Sequence, residues 1–211
     1  MLQAQFASLL ANYTVNKTLV EQFWTVLSGA YTDAGRWYHN LSHLEQMLAV
    51  LKPVQNKIED WNSVLFAVFY HDAVYDVVAY VTDNDNEDRS AVMAEEVLTA
   101  IGYPAEGIAR VKRHILATKK HEPTNDNDTA YLSDADLSIL GSPWPEYEKY
   151  MKAIRKEYAV YPDPIYQAGR QKVLKDFLTT EPLFKTPHFD ATYGAAAKEN
   201  ISRELEIISF Y

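Results

Sequence analysis

The sequence is organised around an apolar helical stripe that ends in an adjacent His-Asp pair. The stretch Val64–Asp76 reads V-L-F-A-V-F-Y-H-D-A-V-Y-D, and its apolar residues recur at helical spacing up to Val68. His71 and Asp72 continue that spacing by three and four residues, which predicts that both side chains point into the interior. Burying an ionised Asp beside a His is costly unless a partner compensates the charge. The pair therefore indicates either a His-Asp hydrogen bond at a helix end or a bound divalent cation.

Charge and composition narrow the classes of partner. The 211 residues are 47% hydrophobic and 13% aromatic, an ordinary composition for one globular domain with a full core. Acidic residues outnumber basic ones by 29 to 20, and the formal net charge is −9. This excess of negative charge argues against a nucleic-acid polymer or an anionic membrane surface as the main partner. A small anionic substrate would need a metal or a local cluster of cations to attract it.

The sequence contains no cysteine, which excludes disulfides, thiolate zinc sites and cysteine nucleophiles. The N-terminal residues have no basic region, and Gln and Ser interrupt their apolar run, so we expect a helix there and not a signal peptide. No run of about 18 apolar residues occurs, which predicts no membrane span. Together these features lead us to expect a cytoplasmic protein.

Helical periodicity in segment after segment predicts an all-α fold. Besides the His-Asp helix, the pattern predicts helices at Leu2–Asn12, Thr18–Tyr31, Leu44–Leu51, Glu87–Ile101, Ala105–Lys119, Tyr131–Leu140, Glu146–Tyr158, Ile165–Thr180 and Tyr193–Ser209. A short hairpin in the Val77–Asn86 loop is the one place left for sheet structure. We predict a single domain of residues 1–211, with a metal-site core at about 36–141 and a C-terminal helical annex at 142–211.

Two further details of this pattern can be checked against a structure. In the helix at Glu87–Ile101, the residues expected to face inward are Val92, Val97, Leu98 and Ile101. The polar segment Lys120–Asp128 is expected to be a loop that precedes the next helix.

A second pair of histidines, His39 and His43, lies four residues apart and would share one helix face. Asn40 and Ser42 both suit a helix N-cap, so the helix should begin near them and leave His43 in its first turn. His43 is then the better metal ligand, and His39 lies at the mouth of a cavity. Arg36, just upstream, suits either contact with an anionic substrate or a solvated position at the surface.

A third candidate segment reads L-S-D-A-D-L-S-I-L-G. Asp134 and Asp136 are two residues apart, so on a helix they point in opposed directions. Asp136 shares the four-residue spacing of Leu132 and Leu140, which places it on the apolar face. Because a buried carboxylate needs a cation or several donors, Asp136 is the predicted fourth ligand. Asp134 is expected on the polar side, as a capping or solvated carboxylate.

A His, then a His-Asp pair, then a distant Asp, all on helices, resembles the HD superfamily of metal-dependent phosphohydrolases. Y-H-N-L-S-H and A-D-L-S are similar to segments of class I cyclic-nucleotide phosphodiesterases. Bacterial HD proteins of this size, which have no assigned substrate, resemble the chain in five ordered blocks from Arg36 to Gly141. I-R-K-E-Y and A-G-R carry the similarity into the C-terminal helices. The resemblance implies an HD-domain helical bundle with extra C-terminal helices.

The resemblance also implies a set of site residues. The implied ligands of a divalent metal ion are His43, His71, Asp72 and Asp136. The ion could be Mn, Fe, Co, Ni, Mg or Zn, since two imidazoles and two carboxylates suit all of them. His39 takes the position of the phosphodiesterase general acid. The glutamine pocket with which those phosphodiesterases grip nucleotides has no counterpart in this sequence.

Other residues complete the hypothetical site. Arg36 would hold a phosphoryl oxygen while His39 protonates the leaving alkoxide. Lys119 and His121 are predicted to bind substrate at the rim. Glu87 is either a catalytic carboxylate or a first-turn residue favoured by the helix dipole. A second metal ion would find its additional ligands among Asp76, Glu87 and His121.

We therefore expect a phosphohydrolase that cleaves a small, nucleotide-like phosphate ester with metal-activated water. The alternative is a non-catalytic sensor of the HD type that binds a nucleotide or a metal. A purely structural metal would require four saturating ligands and no open position. The expected partner is a small phosphorylated molecule. Neither a nucleic-acid polymer nor a membrane is expected as a partner. The sequence leaves the possibility of a homodimer undecided.

Overall fold

The computed structural model describes residues 1–78 and 85–209, and every regular element in those ranges is a helix. This confirms the all-α fold that the periodicity predicts. The main helices are α1 (Leu2–Leu10), α2 (Lys17–Tyr31), α3 (Leu41–Leu51), α4 (Trp61–Tyr70), α5 (Asn86–Ala100), α6 (Ala105–Ala117), α7 (Asn127–Leu137), α8 (Trp144–Glu157), α9 (Asp163–Thr179) and α10 (Ala195–Ser209). None of the helices in these ranges is both long and apolar enough to cross a membrane. The hairpin expected in the Val77–Asn86 loop falls mainly on residues outside the described ranges.

Helix α4 is the central helix of the bundle. Its residues from Phe66 to Tyr70 are fully buried, and a helix that is apolar all round must be enclosed by other helices. α4 packs against α1, α3, α5, α6 and α7. Asp60 caps its N-terminus by accepting a hydrogen bond from the backbone N–H of Ser63 at 3.0 Å. Because α4 is central, His71 at its C-terminal end lies inside the protein.

Two predictions about helix ends and faces are wrong. Helix α7 begins at Asn127, inside the predicted loop, because Asp126 accepts a hydrogen bond from the backbone N–H of Thr129 at 2.8 Å and starts the helix early. Val92 on α5 is 51% exposed, although it was predicted to face inward. The buried row of α5 runs through Ala91 and Ala94, and Val92 is displaced from that row by about 100° around the helix.

The C-terminal helices pack on the segment that follows α7. α10 contacts α9 and the 3₁₀ turn Ser138–Gly141. Asn200 on α10 donates to the carbonyls of Leu140 and Ser142 at 2.9 and 2.8 Å. The approach is close at Gly141, where a Cβ would collide with Tyr193. These contacts fix the turn that ends the Asp136 helix.

A buried ion pair joins α9 to α10. Arg170 donates from Nε and Nη2 to the Glu204 carboxylate at 2.8 and 3.0 Å, and the hydroxyl of Tyr147 donates to the same group. Glu204→Ala would leave the guanidinium buried without its counter-charge, so we expect the free energy of unfolding to fall by about 3–5 kcal/mol in chemical denaturation. Glu206→Ala, exposed on the same helix, is the control and should change it by less than about 0.5 kcal/mol. Equal effects of the two substitutions would contradict a stabilising role for the pair.

Candidate metal centre

Three helices bring the four predicted ligands together. His43 lies in the first turn of α3, which begins after Asn40, the capping residue that the sequence predicts. His71 is the C-terminal cap of α4, and Asp72 follows it directly. Asp136 lies in the last turn of α7. The ends of three helices therefore converge, which places the four side chains in one cluster.

The distances within this cluster suit a single cation. Nε2 of His43 lies 3.2 Å from Nε2 of His71 and 3.1 Å from Oδ1 of Asp136. Oδ2 of Asp72 lies 3.1 Å from Nε2 of His71 and 3.9 Å from Nε2 of His43. Oδ1 of Asp136 lies 3.7 Å from Nε2 of His71. His43, His71 and Asp72 form a group that can hold a metal ion.

These separations match those between ligands of one ion. Ligand atoms bonded at about 2.1 Å to an octahedral ion are about 3 Å apart when adjacent and about 4.2 Å apart when opposite. All five separations in the cluster lie within that interval. His43, His71 and Asp72 therefore fit a divalent metal ion. Asp136 lies close to both imidazoles, and its role as a fourth ligand stays a prediction.

The orientation of His71 supports the same interpretation. Its Nδ1 donates to the carbonyl of Val68 at 3.0 Å, so the neutral ring keeps its lone pair on Nε2. That lone pair faces Nε2 of His43. Two ring nitrogens that face each other at this distance need a proton or a cation to bridge them. Nδ1 of His43 has no hydrogen-bond partner among the residues that the structure describes.

The pKa values of the two imidazoles are shifted in opposite directions. Burial lowers the pKa of His43. Burial also acts to lower the pKa of His71, but the carboxylates of Asp72 and Asp136 outweigh it and raise that pKa to about 9. Burial acts to raise the pKa values of both carboxyl groups, and the neighbouring imidazoles hold them below their ordinary range. A proton on His71 thus balances part of the carboxylate charge, and a metal ion bound at this cluster would displace that proton.

Asp134 does not lie on a solvated face, which corrects the prediction for this residue. Its carboxylate is fully buried and accepts hydrogen bonds from the backbone N–H groups of Lys185 and Thr186 at 2.8 and 2.7 Å. The hydroxyl of Thr186 donates to it as well, at 2.7 Å. The side of α7 that appears polar in the sequence is covered by the chain that leads into the C-terminal helix. Asp134 therefore anchors that chain.

Asp134 and Asp136 should respond differently to substitution. Asp134→Ala leaves the backbone N–H groups of Lys185 and Thr186 without their acceptor, so we expect it to lower the free energy of unfolding by about 2–4 kcal/mol without reducing metal content. Asp136→Ala should instead reduce metal content, because it removes a ligand. Denaturant titration and elemental analysis of both variants check this prediction. Loss of metal in Asp134→Ala alone would contradict the assignment.

His39 lies outside the cluster of ligands, before α3 begins, as the sequence predicts. Its Nδ1 is 2.7 Å from Oε2 of Glu157, and its ring stacks on Tyr75 with the ring centroids 4.2 Å apart. Oε1 of Glu157 accepts the backbone N–H groups of Tyr38 and His39 at 2.7 and 2.9 Å. Burial acts to lower the pKa of His39, but the carboxylates of Asp72 and Glu157 outweigh it, so the pKa is raised. His39 therefore stays protonated to a higher pH than an isolated histidine.

Glu157 was not identified from the sequence. It is the last residue of α8, lies 118 positions from His39 and is almost fully buried. The only signal for it was its place in I-R-K-E-Y, one of the blocks similar to bacterial HD proteins. No periodicity argument could pair it with His39, because the two residues meet only through the packing of α8 against the segment before α3.

Arg36 contacts the backbone of the segments that carry His39 and Asp72. Its Nη1 donates to the carbonyls of Asp72 and His39 at 2.7 and 3.1 Å, and its Nη2 donates to that of Ala73 at 3.1 Å. Asp72 and Ala73 lie just past the end of α4, and the guanidinium supplies hydrogen-bond donors to their carbonyls. Arg36 thus positions the segments that carry His39 and Asp72. Its contact with a substrate stays a prediction.

The remaining predicted site residues line a cavity beside the cluster. Glu87 is in the first turn of α5, its Oε2 has no partner among the described residues, and burial raises its pKa. Nζ of Lys119 is 2.8 Å from Oδ2 of Asp88. Nε2 of His121 is 2.9 Å from Oδ2 of Asp136, so this histidine contacts a predicted ligand. The catalytic role of Glu87 and the substrate-binding roles of Lys119 and His121 stay predictions.

A cavity of about 720 Å³ opens beside the cluster, a size that suits a small-molecule ligand. Its polar lining includes His39, Asp72, Glu87, Lys119, His121 and Asp136. The side chains that α8 and α9 contribute to the lining are mainly apolar and aromatic. The C-terminal helices, predicted as an annex, therefore form one wall of the same cavity.

Comparisons of the chain with protein-family models, with curated proteins and with solved structures gave no match. The resemblance to the HD superfamily therefore depends on the ordered motifs alone. The function has to be inferred from those motifs together with the geometry of the cluster, the His39–Glu157 pair and the cavity they share.

Proposed function

We propose that the protein is a metal-dependent phosphohydrolase that acts on a small, nucleotide-like phosphate ester. The observation that carries this proposal is that one cavity is lined both by carboxylates of the metal-competent cluster and by His39, whose ring is held by Glu157. A metal cluster alone would equally suit a binding protein. A histidine held by a buried carboxylate beside that cluster is an arrangement suited to proton transfer.

The ligands of the cation would be His43, His71, Asp72 and Asp136. Four ligands from the protein leave open positions on an ion that prefers six, and the cavity gives a substrate access to them. A divalent cation held there would supply neutralisation of phosphoryl charge and a water molecule of lowered pKa. Asp72 and Asp136 both line the cavity, so their carboxylates lie where the phosphoryl group would arrive.

A side chain of the protein would protonate the leaving group. When the bond between phosphorus and the ester oxygen breaks, that oxygen takes the bonding electrons and needs a proton. His39 lines the cavity and donates this proton, which leaves a neutral imidazole. Glu157 holds Nδ1 of that ring throughout, so the ring keeps its orientation while its charge changes. Arg36 donates to the carbonyls of His39 and Asp72 and thereby fixes the position of the acid, His39, relative to the ligand, Asp72.

A screen of phosphate esters tests the proposal. The protein would be stripped of metal, reloaded with each of Mn, Fe, Co, Ni, Mg and Zn, and incubated with phosphomonoesters, nucleotides and cyclic dinucleotides. We expect release of phosphate or nucleotide from at least one class of ester, with a rate that depends on the metal.

The rival function is a sensor that binds a nucleotide or a metal without turning it over. It predicts tight binding and no product with any metal in the same screen. That outcome would overturn the proposed phosphohydrolase and favour the sensor. The pairing of His39 with Glu157 speaks for the enzyme, because a binding protein has no need of a proton donor beside its metal.

A further inference from the structure

We propose that the α8–α9 wall of the cavity is a binding subsite for a flat aromatic ring, carried by the alcohol part of the phosphate ester. This inference rests on the proposed function, because it takes the residues of the metal cluster that line the same cavity as the phosphate site. The ring would be a nucleobase or another aryl group, bound by stacking and apolar contact.

Two helical stripes form the walls of this subsite. On α8 and its cap, the residues that line the cavity are Tyr150, Ile154 and Tyr158, spaced by four. On α9 the residues spaced by four are Ile165, Gly169, Val173 and Phe177. Residues four apart lie on one helix face, so each helix presents a continuous apolar or aromatic row to the cavity. Flat aromatic rings bind well on such surfaces.

Gly169 is the most open point of the α9 row, and it is exposed to solvent. It lies within α9, where glycine costs roughly 1 kcal/mol of helix stability relative to alanine. No tight packing requires it, because a Cβ at this position would meet no atom within 4 Å. Its φ is not positive, so the backbone does not require glycine either. The absent side chain leaves room in the middle of the α9 stripe.

The chemistry of the lining points to recognition of a ring by its face. Among the described residues that line the cavity, none carries a side-chain amide, the group that commonly reads the edge of a base. Arg170 also lines the cavity. Its guanidinium already donates hydrogen bonds to Glu204 and to the hydroxyl of Tyr150. Stacking tolerates any base because every base has a π-face. The subsite should therefore select for a ring and discriminate poorly between bases.

Continuity with the cluster decides between a small molecule and a protein partner. Ile165 and Val173 are exposed, and an exposed apolar helix face also suits a second copy of the chain. Here the face is one wall of a cavity that Asp72, Asp136 and His39 line as well. A ligand that carries both a phosphate and a ring can contact the two kinds of lining at once.

The test compares two non-hydrolysable probes, phenylphosphonate and methylphosphonate, by calorimetry on the metal-loaded protein. Wild type should bind phenylphosphonate on the order of tenfold more tightly than methylphosphonate, since stacking of one ring is worth that much. Gly169→Leu fills the subsite and should abolish this preference. Gly169→Ala is the matched control and should keep it. Val173→Trp, one turn further along the stripe, is a second way to fill the subsite should Gly169→Leu fail to fold.

The outcomes separate the subsite from the phosphohydrolase. Equal binding of the two phosphonates by wild type, or a preference that survives both filling variants, overturns the subsite and leaves the proposed function standing. Failure of the metal-loaded protein to bind either phosphonate counts against the proposed function itself. A change of oligomeric state in Gly169→Leu on gel filtration would make this face an interface between copies and would also overturn the subsite.

Discussion

Asp72→Ala should lose its bound metal. The substitution removes a carboxylate that lies 3.1 Å from Nε2 of His71 and that carries one of the charges compensating the cation. Removing a partner outside the ligand shell already costs roughly 10–100-fold in metal affinity, so loss of a ligand should cost more than about 100-fold. Elemental analysis of protein purified without a chelator, followed by metal titration, measures the effect.

The control for this variant is Asp88→Ala. Asp88 is an exposed carboxylate near the rim and pairs with Lys119, so its removal changes the net charge in the same way. We expect Asp88→Ala to keep its metal content. If Asp72→Ala retains full occupancy, the assignment of Asp72 as a ligand is wrong.

His39→Ala should keep its metal and lose roughly 10²–10⁴-fold in turnover, the usual contribution of a general acid. His43→Ala, one helical turn away, should lose both metal and turnover, because His43 is 3.2 Å from Nε2 of His71 inside the cluster. Metal content and turnover of the two variants, measured on the same ester, distinguish an acid from a ligand. Should His39→Ala lose metal as His43→Ala does, His39 is a ligand and the mechanism fails.

Glu157→Gln tests the part of this mechanism that positions and charges His39. The carboxylate helps to raise the pKa of His39, and the acid must be protonated to work. Activity that depends on this acid falls as the pH rises through its pKa. Replacing the carboxylate by a neutral amide should therefore move the alkaline fall of the rate to lower pH, while metal content stays unchanged. An unchanged pH profile would show that Glu157 has only a structural role.

The approach of His43 to the His71–Asp72 pair could be predicted from local patterns in the sequence. The stripe that ends at His71 and Asp72 belongs to α4, which is buried all round, so any side chain at its end is drawn inside. Asn40 is a strong capping residue, and the start of α3 follows from it. Helical periodicity and capping residues are local properties, so they can be recognised in the sequence without knowledge of the fold.

The role of Asp134 could not be predicted, because periodicity identifies a solvent face only if that face meets solvent. Helix α7 is covered on nearly all sides, and the turn at Lys185 and Thr186 packs against its apparently polar face. The contact joins residues about 50 positions apart, and nothing in either segment specifies the other. A buried carboxylate that accepts backbone N–H groups is indistinguishable in sequence from a solvated one.

The backbone contacts of Arg36 and the position of Glu157 could not be predicted, for the same reason. The guanidinium of Arg36 donates to backbone carbonyls just after α4, and its predicted contact with an anion stays a prediction. Glu157 lies in a helix predicted only as an annex, yet its carboxylate holds His39. Both contacts depend on how distant helices pack, which patterns of one helix cannot specify.

The most direct test of the proposed catalytic centre is a metal titration of the stripped protein, with the rate of ester hydrolysis measured at each addition. We predict no hydrolysis without metal and a rate that rises in proportion to the metal bound, with no rate at any metal concentration in Asp72→Ala. Hydrolysis by the stripped protein, or full metal binding without hydrolysis of any ester, would contradict the account.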